Sequence, residues 1–211
     1  MQTAKPIIRV QGHGRIESAP DVVALTFTLS TEDVQYSKAI ETLNEKTDAL
    51  RKAVVSAGWE PKMLKTASYS VSIKTDYDRE EGKHVFQGYA GVHGMSLRIP
   101  LDLAKLGKVL SAVSGSSARA EIEMVFTCAD PEAIRQRVLE DAVRNARKRA
   151  EVIATTAGQK LGAILAMEYG YVEVRVSSEP MVMQESNACL SEFSLEPADV
   201  ESEDNVSVTW E

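Results

Sequence analysis

Apolar and polar positions alternate along this chain with a period that changes from segment to segment, and each change marks an element. Over 130–158 the period is helical. Ile134, Val138, Ala142, Ala146, Ala150, Ile153 and Ala157 fall on one arc, and Arg137, Glu140, Asp141, Arg144, Arg147, Lys148 and Glu151 fall opposite. Asp130 is placed to cap the first turn, Pro131 suits the first helical position, and Gly158 can take the left-handed conformation that stops the helix. At 1.5 Å per residue the segment would span about 40 Å, and its alanines allow close approach to a sheet. This is a scaffold helix.

The remaining elements follow in the same way. Residues 7–18 read as a first strand, with Gly12 and Gly14 where a bulge or a close approach of backbones would suit. After a turn at Pro20 and Asp21, Val23, Leu25, Phe27 and Leu29 alternate with Ala24, Thr26, Thr28 and Ser30, the pattern of a half-buried antiparallel strand. Its cover is a helix carrying Tyr36, Ala39, Ile40, Leu43, Leu50, Val54 and Ala57, stopped at Gly58. Ala67, Tyr69, Val71 and Ile73 line one face of a third strand. The charged stretch 76–82 is a hairpin tip, and Tyr89, Met95, Leu97 and Ile99 line a fourth strand over 85–99 that glycines at 88, 91 and 94 should bend. A short helix over 100–114 turns Leu103, Leu106, Val109, Leu110 and Val113 inward. A fifth strand places Ala120, Ile122, Met124 and Phe126 on one face, and a sixth is expected over 161–176, bent near Gly170. Residues 177–203 lack periodicity and are expected to form a mobile acidic excursion. Val206, Val208 and Trp210 then alternate as a closing strand over 205–210.

This order predicts an α+β fold: one domain over residues 1–211, with a single, mostly antiparallel curved sheet and three helices packed on one face, including the long helix in the C-terminal half. A chain of 211 residues with 44% hydrophobic content is large enough for one substantial core. The net charge of −7 is unevenly placed. Nine acidic residues and no Lys or Arg follow position 176, so the first 176 residues hold 24 basic and 22 acidic side chains and are near neutral. That balance argues against a nucleic-acid partner, which needs a clustered excess of Lys and Arg. No apolar run reaches the 18 or more residues of a membrane span, and the start of the chain lacks a hydrophobic signal region, so a cytoplasmic placement is expected.

Candidate chemistry is sparse. Cys128 and Cys189 are too few for a disulfide framework; Cys128 reads as a small buried thiol and Cys189 as a loop residue. His13, His84 and His93 have no metal-ligand spacing, and an odd separation puts His84 and His93 on opposite faces of an uninterrupted strand. Gly12-His13-Gly14 interrupts a strand that leads to another strand, so it is no phosphate loop. Asp76, Asp78, Glu80 and Glu81 lack the twelve-residue calcium loop. Arg144, Arg147, Lys148 and Arg149 form the basic cluster, with Glu140 and Glu151 spaced to answer Arg144 and Arg147. Neither a nucleophile elbow nor a Cys paired with a His in a motif is present. No catalytic, cofactor-binding or metal residues are assigned, and no cofactor is expected.

The composite pattern resembles the SIMPL domain family, whose bacterial members include periplasmic immunogenic proteins and stress-associated envelope proteins. The matching pieces are Val10-Gln11-Gly12-His13-Gly14 with Ala19-Pro20-Asp21, and Ala57-Gly58 ahead of the third strand. To these are added Gly88-Tyr89, the Ala-rich helix ending Ala157-Gly158-Gln159-Lys160-Leu161-Gly162, and Val206-Ser207-Val208-Thr209-Trp210. The resemblance implies an α+β fold, ring-like or larger homo-oligomers in some members, and no established catalytic residues. A non-enzymatic protein that self-assembles or binds macromolecules is therefore expected, its protein partner unspecified. The alternatives are a small-ligand binder or enzyme using a pocket near Tyr69, Tyr89 and His93, or a docking segment over 180–195.

Overall fold

The computed structural model describes residues 6–79, 82–170, 174–183 and 196–211. The chain forms β1 (Ile8–Ser18), β2 (Val22–Asp33), α1 (Tyr36–Ser56), β3 (Lys65–Asp78), β4 (Lys83–Pro100), α2 (Leu103–Ser114), β5 (Glu121–Thr127), α3 (Pro131–Thr156), β6 (Ile164–Glu168), β7 (Met181–Met183) and β8 (Val200–Trp210). The α+β class holds, but the single sheet does not. There are two sheets, with strand orders β1-β8-β6 and β3-β4-β2-β5-β7, and the chain divides into two compact units around them. Alternation in a sequence tells which face of a strand is buried. It does not tell which strand lies alongside, and here β1 pairs with β8 from Ile8↔Trp210 to Ser18↔Val200.

Unit 1 comprises Met1–Pro20, Thr127–Ser178 and Ala198–Glu211. Its helix α3 is capped by the Asp130 carboxylate, which accepts a hydrogen bond from the Ala133 amide at 3.0 Å, and Gly158 ends it at φ +71°. Ile134, Val138, Ala142, Ala146, Ala150 and Ala154 are buried at strict fourth-residue spacing. Ile153 and Ala157, expected on that arc, are exposed, and Ala154 is buried in their place, because a row at i, i+4 advances about 40° around the helix per step and so winds away from a straight arc. Ala142, Ala146 and Ala150 pack against Val10, Val206, Val208 and Trp210, and Ile134 and Val138 against Cys128, Val174, Val176 and Val200. Opposite this row stand Gly12 and Gly14. A methyl group at either would land on a helix carbonyl oxygen, of Ala142 or Val138, so helix and strand backbones meet with no side chain between them.

The excursion expected over 177–203 needs correcting where it is described. Ser177 bridges Thr127, Met181–Met183 form β7 against β5, and β8 begins at Val200. Val200, Ser202, Asp204, Val206, Val208 and Trp210 are all buried. The first half of that alternation was hidden because two of its inward residues are polar. Residues 184–195, with Cys189 and most of the docking segment, lie outside the described residues, as do Glu80 and Glu81 at the hairpin tip.

Unit 2 comprises Asp21–Phe126 and Glu179–Pro197. Val23, Leu25, Phe27 and Leu29 of β2 and Met95, Leu97 and Ile99 of β4 face Leu43, Leu50 and Val54 of α1 and Leu106, Val109, Leu110 and Val113 of α2 in one core. Thus α1 and α2 serve the five-stranded sheet and α3 the other, which replaces the expected three helices on one face. Leu103, expected inward on α2, is 43% exposed. Among the described residues no helix is long and apolar enough to cross a membrane.

Candidate functional site

In unit 2 the buried polar centre is His93, 5% exposed beneath α1. Thr47 Oγ1 donates to the Leu43 carbonyl at 2.8 Å, so at 2.9 Å from His93 Nδ1 it is left to accept. Nδ1 therefore carries the proton, and Nε2 accepts from Thr66 Oγ1 at 3.0 Å. Burial, and secondarily the positive charge of Arg51, hold the His93 pKa below its ordinary value of 6.5. Both ring nitrogens of His93 are thus satisfied within the protein, and Tyr69 lies edge-on to the imidazole at 5.1 Å. Thr47 carries the niche, and sequence reading missed it because a threonine at one position of a greasy stripe looks like a gap in it.

Beyond the end of α1 the same sheet face carries a row of rings. Tyr69 is opposite His93, Ile73 opposite Tyr89, Thr75 opposite Phe86 and Tyr77 opposite His84. β3 runs continuously through these pairs while β4 skips one residue between Gly88 and Phe86. That bulge corrects the expectation for the two histidines: it flips the parity of β4 and puts His84 on the face of His93, eight residues of β3 and about 27 Å away. Tyr89 stacks edge-on with Tyr36 at 5.3 Å and Phe86 at 5.4 Å, and Tyr77 with His84 at 5.3 Å. Tyr69, Ile73, Tyr77 and Phe86 remain 47–63% exposed. β3, whose Tyr69, Val71 and Ile73 line one face as its alternation predicts, is solvated on both faces and ends its sheet.

Unit 1 carries two grooves of opposite character. One, about 660 Å³, is lined by His13, Arg15 and Arg175 together with Glu201, Glu203 and Asp204. In it Arg15 pairs with Glu201 at 2.7 Å, and the buried Asp204 carboxylate accepts from the Tyr169 hydroxyl at 2.9 Å. The other, about 730 Å³, lies between the outer edge of β1 and the flank of α3 and is lined by cations with no carboxylate. The basic cluster of α3 is paired differently from expectation. Arg144 meets Asp141 at 3.5 Å, whereas Glu140 is engaged by Gln136; Arg147 meets Glu151 at 3.0 Å as its spacing predicts. Cys128 is a buried thiol 3.8 Å from the Ala19 carbonyl. No group of three or more His, Cys, Asp or Glu residues among the described residues could hold a metal ion.

Comparison with known proteins places this geometry. The chain is 24% identical over 212 residues to the uncharacterized protein YggE of Escherichia coli (strain K12), covering 98% of this chain and 83% of that protein. It is 22% identical over 164 residues to YggE of Edwardsiella ictaluri, covering 78% and 68%. To the 26 kDa periplasmic immunogenic protein of Brucella melitensis biotype 1 it is 24% identical over 188 residues, covering 87% and 72%. None of these names carries a reaction. The SIMPL family, described as a protein of unknown function, matches residues 8–210, nearly every element from β1 to β8, and the chain belongs to that family.

Proposed function

We propose that this protein is a non-enzymatic assembly protein that associates with a second copy of itself through the β3–β4 hairpin. The observation that carries this reading is the exposed row of Tyr69, Ile73 and Tyr77 on β3, an edge strand that no described strand pairs on its outer side, with the exposed Phe86 beside them on β4. An open edge offers backbone donors and acceptors to another strand, and apolar side chains beside it supply the burial that makes such pairing stable. The edge is also complementary to itself. An antiparallel pair of β3 strands related by a two-fold axis at Thr75 sets Lys74 of each copy opposite Asp76 of the other, and Ile73 opposite Tyr77.

Sedimentation at micromolar concentration tests the reading. A dimer or larger species is expected, and I73K with F86K should weaken association about tenfold or more, since it buries charge in the contact. A strictly monomeric wild-type chain overturns the reading, as does an oligomer that the substitutions leave unchanged. The relative named as a periplasmic protein supports the same compartment for this chain, and fractionating cells that express the natural gene product tests this against the cytoplasmic expectation.

A further inference from the structure

The second groove of unit 1 gathers three cations that no carboxylate answers among the described residues. Elsewhere on α3 each paired arginine has a carboxylate at hand: Arg135 has Glu132, Arg144 has Asp141 and Arg147 has Glu151. Along the groove, Arg9, Lys148 and Arg149 form no ion pair among the described residues, although the chain as a whole is acidic by seven charges. Two of the three are held by neutral acceptors. Arg9 Nε donates to Thr209 Oγ1 at 3.2 Å, and Arg149 Nη1 donates to the Gln11 carbonyl at 3.3 Å on the edge of β1. These bonds orient the guanidinium groups without neutralising them, which keeps their remaining donors available.

The groove is not only cationic. Asn145, Lys148, Arg149, Val152 and Ile153 recur at helical spacing and form one stripe beside the buried alanines. Val152 is 59% and Ile153 47% exposed, so the far end of the stripe is apolar surface in contact with water. At the opposite end, the Asn145 side-chain oxygen is buried without a hydrogen-bond partner. Turning that amide over would present its NH₂ there instead, a donor that an anionic group entering the groove would satisfy. A volume near 730 Å³ is within the range of small-molecule sites.

We propose that this groove binds a single-chain amphiphile with a phosphate or carboxylate head, the head held by Arg9, Lys148 and Arg149 and the alkyl chain laid on Val152 and Ile153. Neither the open cations nor the exposed aliphatic side chains alone call for such a ligand; their adjacency in one groove does. The ligand is a free monomer, because the single aliphatic pair Val152 and Ile153 offers a place for one alkyl chain beside the three cations.

Isothermal titration of the whole chain with dodecyl phosphate below its micellar concentration tests this. One molecule per chain is expected to bind, with inorganic phosphate about tenfold or more weaker and dodecyltrimethylammonium not binding. K148Q with R149Q should lose about tenfold or more in affinity for dodecyl phosphate, the scale of lost charge-assisted hydrogen bonds. Should that pair of changes disturb folding, judged by circular dichroism, the single exposed change K148E carries the same expectation. I153S should weaken dodecyl phosphate about threefold or more and leave inorganic phosphate unchanged. Absence of 1:1 binding, equal binding of the cationic amphiphile, indifference to K148E, or binding to anionic vesicles alone overturns the proposal.

Discussion

In unit 1 a helix of 26 residues lies along paired strands of 11 residues, about 39 Å against about 37 Å; in unit 2 a helix of 21 residues, about 31 Å, faces a strand of 18, about 60 Å. The two units also differ in what fills the space between layers. In unit 1 alanines meet glycines, and the backbones themselves are in contact across Gly12 and Gly14. In unit 2 Phe27, Leu25, Leu29, Met95 and Leu97 keep the layers apart with bulk. Matched lengths bury the inward residues of β8 from Val200 to Trp210, whereas the overhang in the second sheet turns an interior-type pattern of rings into surface. Exposure of Ile73 and Phe86 is thus a consequence of arithmetic between helix rise and strand rise.

Substitutions should separate the two kinds of packing. The largest effect is expected for Phe27→Ala, which leaves a cavity in a core of large side chains and should cost about 3–5 kcal/mol in chemical denaturation. An unchanged midpoint would mean that the unit 2 core collapses around the loss. In unit 1 the helix side of the contact is mostly alanine, so enlargement is the more informative change there. Gly14→Ala should cost about 3 kcal/mol, the upper part of the overpacking range, because the added methyl meets helix backbone that cannot rotate away. A loss under about 1 kcal/mol would show that α3 can lift from β1 without penalty.

The smallest effect concerns His93. Its native pKa lies below 6.5, so the unfolded chain binds the proton more readily, and stability is fully present above about pH 6.5 and lost as pH falls through 6.5 towards the lowered native value. His93→Gln should remove that limb of the pH profile at a cost of about 1 kcal/mol at neutral pH, since one of two buried hydrogen bonds is lost. A profile that keeps the same slope in the variant would assign it to another group.

Legibility in the sequence followed the size of the side chains. The strand over Val23 to Leu29 and the second helix announced themselves because large residues alternate cleanly. The beginning of β8 did not, since Ser202 and Asp204 occupy inward positions, their hydroxyl and carboxylate satisfied by the Arg175 carbonyl and the Tyr169 hydroxyl. The basic groove was half visible. Lys148 and Arg149 stood out as a cluster, but Arg9 is 139 positions from Lys148 in the chain, and nothing local says that a strand edge will bring them together.

Periodicity, caps and glycine placement were sufficient by themselves to determine the α+β class, the helix from Pro131 to Thr156 and the family. Those are properties of one segment and the face it buries, and local chemistry specifies them. The division into two sheets, the pairing of β1 with β8, the overhanging row of rings and the uncompensated cations beside β1 were decided only by tertiary structure. Each depends on which strand becomes whose neighbour and on how far a helix reaches, and a sequence read segment by segment does not contain distances.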